Sequence, residues 1–232
     1  MNFPDLFDEF AARVLPATLT DAAILRLRHE AFAEDLPPGG RLDLDENRAH
    51  FVFVGSGATK LAAYVSTERE QIVAFNFAGD IVHVPERGRY NFALTALVES
   101  EILVMPADSF LGAAPESCGL LRIASEETMR ALALSRENTI MLGRRSARER
   151  VACFVLDLWE RLAPANRHDA PIELPMSRGE IAESLGLTIE TVSRQFSELK
   201  ELGLIETRGR SVLRVLDPEG LKRCTGQLAV AA

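Results

Sequence analysis

The stretch from Met176 to Val215 reads MSRGEIAESLGLTIETVSRQFSELKELGLIETRGRSVLRV, and it decides how the C-terminal part of the chain folds. Ser177 followed by Glu180 is a capping box, which predicts that a short helix begins at Arg178. That helix would bury the apolar residues of one face, Ile181, Ala182 and Leu185. Gly186 then predicts a turn. The pattern therefore predicts a short helix with a defined start and a defined end.

A second helix is predicted to follow this turn and to run to about Leu202. Thr188 can cap its start, and Glu190 lies in the first turn, where a carboxylate suits the positive end of the helix dipole. Gly203 predicts its end. The apolar residues recur at helical spacing on one face: Val192, Phe196, Leu199 and Leu202. The polar residues recur on the opposite face: Glu190, Ser193, Arg194 and Ser197.

The polar face of the second helix has the chemistry of a DNA recognition helix. Such a helix lies in the major groove and reads bases with side chains near its N-terminal end. Glu190 can accept a hydrogen bond from cytosine, Ser193 can bond to several bases, and Arg194 can donate two hydrogen bonds to guanine. We therefore predict that these three residues read base edges. The alternative is a small helical packing unit whose polar face is only solvated.

Two short apolar alternations follow, Leu204–Thr207 and Val212–Val215, on either side of Arg208-Gly209-Arg210. They predict a two-stranded wing with two arginines at its tip, which suits contact with phosphate. Residues 176–215 are thus predicted to form a winged helix-turn-helix.

The composition limits the classes of protein and the compartment. A chain of 232 residues and 25.5 kDa is long enough for two domains. No apolar run approaches the roughly 18 to 20 residues of a membrane span, and the N-terminus is acidic rather than a signal peptide, so we expect a cytoplasmic protein without a membrane partner. Cys118, Cys153 and Cys224 are widely spaced without a CxxC pair, so neither a disulfide framework nor a metal site is expected.

The net charge of −8 is distributed unevenly along the chain. Residues 1–123 contain 10 Lys/Arg against 18 Asp/Glu, whereas residues 124–232 contain 16 of each. Residues 176–215 are balanced at 6 against 6. Binding of DNA by this stretch alone should therefore be weak and strongly dependent on salt, and pairing of two copies would increase the affinity.

The N-terminal part is predicted to be a domain of residues 1–123. Residues 1 to about 37 have helical spacing, which Pro37-Pro38-Gly39-Gly40 ends. Short apolar runs with glycine turns then predict a compact β-roll or jelly-roll barrel as far as about Pro106. These runs are 51–54, 61–65, 72–77, 81–84 and 102–105. Residues 106–118 are predicted to be an irregular linker.

A long helix is predicted to begin near Ser125, whose side chain can cap it. Its apolar stripe, interrupted by Arg136, consists of Met129, Leu132, Ala133 and Ile140. A dimerisation helix that packs against its twin and a core helix of one subunit both explain this stripe. We assign residues 124–145 to a dimerisation helix. Residues 146–232, with a further amphipathic helix over Ala147–Leu162, are assigned to the DNA-binding domain.

The order of β-roll, long helix and winged helix-turn-helix resembles the Crp-Fnr superfamily of bacterial transcription regulators over essentially the whole chain. The sequence Glu190-Thr191-Val192-Ser193-Arg194 matches the E-x-x-S-R pattern of the FNR and FixK branch, whereas the cyclic-AMP receptor branch has glycine in place of the serine. The resemblance implies an α+β fold with a cyclic-nucleotide-binding-like jelly roll. It implies a homodimeric regulator, not an enzyme, that reads a TTGA-type half-site within a pseudo-palindrome of double-stranded DNA and has RNA polymerase as a partner.

The same resemblance implies a set of phosphate contacts. These are Ser177, Arg178, Thr188, Thr191 and Arg208, and the chemistry of the wing adds Arg210. Hydroxyls at helix starts and basic side chains suit phosphate oxygens.

Two features depart from relatives that hold an effector. Members that bind cyclic AMP carry a Gly-Glu pair after the Gly-Asp turn and then an Arg-Ser pair. Here Gly79-Asp80-Ile81-Val82 is followed by His83-Val84-Pro85, and Arg89-Tyr90-Asn91-Phe92 stands where the second pair is expected. A cyclic phosphate needs a cation and several hydrogen-bond donors, and Arg89 alone does not provide this set. FNR holds an iron-sulfur cluster on N-terminal cysteines, and such a cluster needs about four thiolates. Because no cysteine precedes Cys118 in this sequence, a cluster of this kind is not expected. We therefore expect no cofactor.

Two sensor versions of the same regulator remain as alternatives. Haem could use His29, His50 or His83 as a ligand. Oxidation could act through Cys224, which lies beside Lys222 and Arg223, rather than through Cys153, which lies among apolar residues.

Other classes of protein are also considered. A ligand- or metal-binding β-barrel with an accessory helical domain, or an enzyme built on one, is the main competitor. Against this class, the histidines of the sequence are too scattered for a metal-ligand motif: His29, His50, His83 and His168. No G-x-S-x-G motif or phosphate loop occurs. A winged helix that binds protein is a third reading.

Overall fold

The computed structural model of the chain describes residues 2–66, 69–112, 118–144, 146–164, 170–209 and 211–226. It divides into two compact units, Met1–Leu134 and Ser135–Ala232. Of the helices in these ranges, none has the length and apolar character that crossing a membrane requires.

The first unit begins with two helices, α1 (Phe3–Val14) and α2 (Asp21–Glu30). Their N-caps are Asn2 and Thr20, whose side-chain oxygens accept hydrogen bonds from the backbone N–H groups of Asp5 and Ala23. The predicted helical start of the chain is confirmed over these two segments.

Strands follow over residues 32–106. They are β1 (Phe32–Leu36), β2 (His50–Ser56), β3 (Ala58–Ser66), β4 (Arg69–Phe77), β5 (Ile81–Val84), β6 (Asn91–Ala96) and β7 (Ser100–Pro106). They form two antiparallel sheets, in the orders β1-β7-β2-β5 and β4-β3-β6. The sequence prediction missed β1 and β6. Both are held by distant partners, since β1 pairs with β7 and β6 pairs with β3.

Strand β2 shows how the core of the first unit is arranged. Val52 and Val54 belong to an apolar cluster that joins the two sheets. Phe51 and Phe53 point the other way, into a second cluster with the helices, where the rings of Phe10 and Phe53 lie 5.5 Å apart. A strand that is buried on both faces reads as a continuous apolar run, which explains the sequence FVFV.

The prediction of an irregular linker over residues 106–118 is wrong for its first half. Residues Ala107–Gly112 form helix α3, which places the buried Phe110 ring 4.9 Å from that of Phe51. The long helix α4 is Cys118–Arg144, so it begins seven residues before Ser125. Leu120 is completely buried in the second cluster, and this packing extends the helix towards its N-terminus. Ser125 is therefore an internal residue of α4, and not its cap.

The second unit contains α5 (Ala147–Leu162), β8 (Ile172–Glu173), α6 (Arg178–Leu185), α7 (Ile189–Glu201), β9 (Ile205–Arg208), β10 (Val212–Val215) and α8 (Pro218–Cys224). Strands β8, β10 and β9 form one small sheet in that order. A capping box of Ser146 and Glu149 starts α5, which has the predicted bounds. Val151, Val155 and Leu158 on α5 are buried, and α5 packs on α7 and α8.

Candidate nucleic-acid interface

The turn between α6 and α7 is built from the capping signals in the sequence. Ser177 Oγ accepts from the N–H of Glu180 at 3.2 Å, and the N–H of Ser177 donates to Oε2 of Glu180 at 2.8 Å. Gly186 ends α6 with φ of 61°, a left-handed conformation that favours glycine. Thr188 then caps α7 by accepting from the N–H of Thr191 at 3.3 Å. The predicted helix-turn-helix is confirmed.

The inward faces of the two helices are mostly those that periodicity predicts. The buried residues of α6 and α7 are Ile181, Ala182, Leu185, Val192, Gln195, Phe196 and Leu199. Leu202, predicted on the buried face, is instead exposed. It is the C-cap residue, beyond the last turn, and the chain turns away at Gly203 with φ of 70°. Burial of the amide of Gln195 was not predicted from the sequence.

The three predicted base-reading residues lie on the exposed side of α7. Glu190, Ser193 and Arg194 are all exposed, and the side chain of Arg194 keeps 68% of its surface accessible. Nε of Arg194 lies 3.9 Å from Oε1 of Glu198, one turn further along the helix. The backbone N–H of Glu190 itself, and then the hydroxyl of Thr188, hold the pKa of the Glu190 carboxyl below its usual value. The helix thus presents an acceptor, a hydroxyl and a cation on one face.

The hydroxyls predicted to contact phosphate cluster at the two helix starts. Ser177 and Thr188 are exposed N-cap residues, and Oγ1 of Thr188 lies 3.1 Å from Oγ1 of Thr191. Unpaired backbone N–H groups at a helix start attract anions. The start of α7 therefore offers both hydroxyl and amide donors to an anion.

The wing is formed by β9 and β10, which pair in the register Arg208 with Val212. Arg208 lies at the end of β9 with 79% of its side chain accessible, and its Nε is 3.9 Å from Oε1 of Glu206. Gly209 has φ of 63°, as the tight turn of the wing requires. Arg210, predicted as the second arginine of the tip, lies outside the described residues.

Arg178 has a different environment from that of the other predicted phosphate contacts. Its Cζ atom lies 3.4 Å from the centroid of the Phe196 ring, so the guanidinium stacks on α7. Its Nη1 atom is buried without a hydrogen-bond partner among the described residues. Burial lowers the pKa of Arg178 to about 10, which leaves it protonated at neutral pH. The structure thus brings Arg178 against the recognition helix, a contact that the sequence did not indicate.

A cavity of about 430 Å³ opens in the first unit between the segment 41–50 and the segment 84–94. Its cations already have partners. Nη1 of Arg87 donates to Oε2 of Glu46 at 3.1 Å, and Nη2 of Arg48 lies 4.0 Å from Oδ2 of Asp108. Cζ of Arg41 lies 5.1 Å from the centroid of the Tyr64 ring. The cavity therefore has balanced charges and not a cationic lining.

The predicted haem and thiol candidates do not converge on one site. His50 is buried beside the cavity, and His29 is exposed on α2. The rings of His83 and Phe51 are tilted by 55°, with their centroids 5.3 Å apart. Within the described ranges, no group of three or more His, Cys, Asp or Glu could hold a metal ion. Sγ of Cys224 lies 3.7 Å from Nη2 of Arg148. His168 lies outside the described residues.

Comparison with known sequences gives consistent results. A family model for the Crp-like helix-turn-helix domain matches residues 149–224. The chain is 39% identical over 158 residues to the nitrogen fixation regulation protein FixK of Bradyrhizobium diazoefficiens, covering 67% of this chain and 65% of that protein. It is 33% identical over 199 residues to a probable transcriptional activator of Rhizobium leguminosarum bv. viciae, covering 86% of this chain and 80% of that protein.

Solved structures with the same fold extend the comparison. FixK2 from Bradyrhizobium japonicum superposes with a TM-score of 0.75 at 29% identity, covering 87% of this chain and 99% of that chain. A mutant of CooA from Carboxydothermus hydrogenoformans gives a TM-score of 0.73, covering 97% of this chain and 96% of that chain. At 20% identity the second likeness shows the fold alone. The predicted α+β fold class is confirmed.

Proposed function

Since the chain belongs to the Crp-Fnr superfamily of transcription regulators, in its FixK-like branch, we propose that it binds DNA as a homodimer and places its two α7 helices in successive major grooves. DNA binding and the regulation of transcription follow from family membership, and the relatives are regulators and not enzymes. We propose in addition the target site, the roles of single residues and the dimer.

The observation that carries the proposal is the arrangement of α7. Its inward face is buried, while Glu190, Ser193 and Arg194 are exposed near its N-terminal end. We assign these three residues to the base edges of a TTGA-type half-site within a pseudo-palindrome. Arg194 would donate two hydrogen bonds to the guanine, and the ionised Glu190 would accept from a base amino group.

The contacts to phosphate are assigned to both sides of this helix. They are Ser177, Arg178, Thr188, Thr191, Arg208 and Arg210. Hydroxyl and amide donors at the start of α7 suit a phosphate oxygen. Arg208, at the end of β9, has most of its side chain accessible for a second phosphate. These contacts position the protein on DNA of any sequence.

Dimerisation is assigned to α4. Its predicted stripe is exposed within one chain, with Met129 at 63%, Leu132 at 42% and Ile140 at 56% accessible, and Ala133 is also exposed. This exposure supports the dimerisation helix over the core helix of one subunit, because apolar side chains at helical spacing gain from burial against a second helix. Because residues 176–215 have as many acidic as basic side chains, one copy should bind DNA weakly. The pairing of two copies is therefore proposed to provide the affinity for DNA.

We propose that the regulator works without a cyclic nucleotide or an iron-sulfur cluster. A cyclic phosphate needs a cation and several donors, and in the cavity Arg41, Arg48 and Arg87 are already engaged. The three cysteines of the sequence are fewer than the four thiolates that a cluster needs. RNA polymerase is the proposed protein partner, since the Rhizobium leguminosarum relative is named as a probable transcriptional activator.

Footprinting and mobility-shift titration of the purified chain on a TTGA pseudo-palindrome test this function. We expect selective, salt-sensitive protection of both half-sites and a dimer in analytical ultracentrifugation. A duplex in which one half-site is scrambled is the control. Equal affinity for both duplexes, or no binding at low salt, would reject the proposed target.

A further inference from the structure

Acidic side chains stand beside the two arginines that we assign to DNA on α7 and on the wing. Oε1 of Glu198 lies 3.9 Å from Nε of Arg194, and Oε1 of Glu206 lies 3.9 Å from Nε of Arg208. The carboxylate side chains keep 41% and 39% of their surface accessible. Each arginine thus has a carboxylate of its own element as an alternative to a DNA phosphate.

We propose that Glu198 determines specificity by penalising contacts of Arg194 with DNA of the wrong sequence, and that Glu206 limits the affinity of the wing for DNA of any sequence. The proposal rests on the DNA-binding roles given above for Arg194 and Arg208.

The effect of Glu198 follows from a competition for the Arg194 guanidinium. Glu198 faces Nε of Arg194, in an exposed ion pair that contributes little by itself. The two terminal nitrogens of Arg194 can therefore donate to guanine at the correct site while the pair is kept. At a wrong site Arg194 finds only phosphate, and reaching it separates Nε from Glu198 and leaves that carboxylate unpaired. The carboxylate therefore weakens wrong sites more than the correct one.

Glu206 acts on a contact that does not depend on sequence. Arg208 meets phosphate at correct and wrong sites alike, so the loss of the pair with Glu206 has the same cost at both. Removing this carboxylate should raise all affinities by one factor and leave their ratio unchanged.

The test compares Glu198→Gln and Glu206→Gln in the full chain, with Glu201→Gln as the matched control on the exposed end of α7. Dissociation constants are measured on the TTGA pseudo-palindrome and on a scrambled duplex over a series of salt concentrations. We expect Glu198→Gln to strengthen binding to the scrambled duplex about two- to fivefold and to change binding to the correct site less. Glu206→Gln should strengthen both equally, and both variants should steepen the salt dependence.

A second variant separates charge from structure. Glu198→Asp keeps the carboxylate and should keep the wild-type ratio of affinities, whereas a purely structural role would not depend on charge or alter the salt dependence. The inference is overturned if Glu198→Gln leaves the ratio unchanged or if Glu201→Gln lowers it as much. If the unaltered chain does not discriminate between the two duplexes, the proposed function fails first, and this inference fails with it.

Discussion

Arg194 and Arg178 are both arginines of the helix-turn-helix, yet they have opposite surroundings. Arg194 projects from α7 with most of its side chain accessible, while the guanidinium of Arg178 lies over the Phe196 ring with one donor buried. An accessible guanidinium can adapt to a base, whereas a stacked one contributes to the packing of α6 on α7. The two side chains should therefore respond differently to substitution.

Replacing Arg194 with alanine should weaken binding to the TTGA site by roughly 1–3 kcal/mol and relax selectivity at the guanine. The reason is that both donors to the guanine edge are lost together. Mobility-shift titrations on sites with each base at that position measure the effect. Arg208→Ala is the control, since it should weaken all sequences alike. Full discrimination by Arg194→Ala would show that another residue reads the guanine.

Replacing Arg178 with methionine should leave the free energy of unfolding at least as high as that of the unaltered chain. The substitution removes a partly buried charge with an unpaired Nη1 and keeps an apolar chain on Phe196. Chemical denaturation measures this effect, and a titration with DNA measures the loss of a phosphate contact. A marked loss of stability would show that the cation–π contact dominates.

The pKa of His50 is lowered by burial, with Arg48 as a second cause. As the pH falls below the usual value of about 6.5, the unfolded chain therefore takes up a proton before the folded chain does. Stability should accordingly be full above that pH and should decline as the pH falls towards the folded pKa. Denaturant titrations at several pH values should show a smaller decline for His50→Gln than for His29→Gln, which alters an exposed histidine.

At the scale of elements, α4 is the helix whose sequence and structure are most instructive together. Residues 129–140 of the helix carry an apolar stripe that is exposed in one chain, while its first turn is buried through Leu120. One helix thus has two environments along its length. Periodicity alone did not separate a core helix from a dimerisation helix, and the accessible surface of the stripe favours the second.

Leu132→Glu should convert the dimer to a monomer and weaken DNA binding. Burying a leucine contributes about 1.5–3 kcal/mol, and two carboxylates facing each other across the interface add repulsion. Sedimentation velocity over a range of concentrations measures the assembly. Ala131→Glu is the control, because it places the same charge one position away on the helix. Unchanged dimerisation of Leu132→Glu would move the interface away from α4.

At the scale of the whole molecule, charge is divided between the two halves of the sequence. The excess of acid lies in residues 1–123, and residues 124–232 are neutral overall. A neutral DNA-binding unit gains little from long-range attraction. In the proposed dimer, the affinity for DNA then depends on the placement of a few cations and on two copies acting together.

The sequence by itself determined the helix-turn-helix, because its signals are local. The pair of Ser177 and Glu180, the left-handed Gly186 and the cap at Thr188 act within a few residues of where they stand in the chain. The face that carries Glu190 and Arg194 follows from the helical repeat. Only the tertiary structure decided where α4 begins, that α3 exists, and that β1 and β6 join the sheets, since packing against distant residues forms these elements. The stacking of Arg178 on Phe196 also depends on the crossing of two helices, which no local pattern encodes.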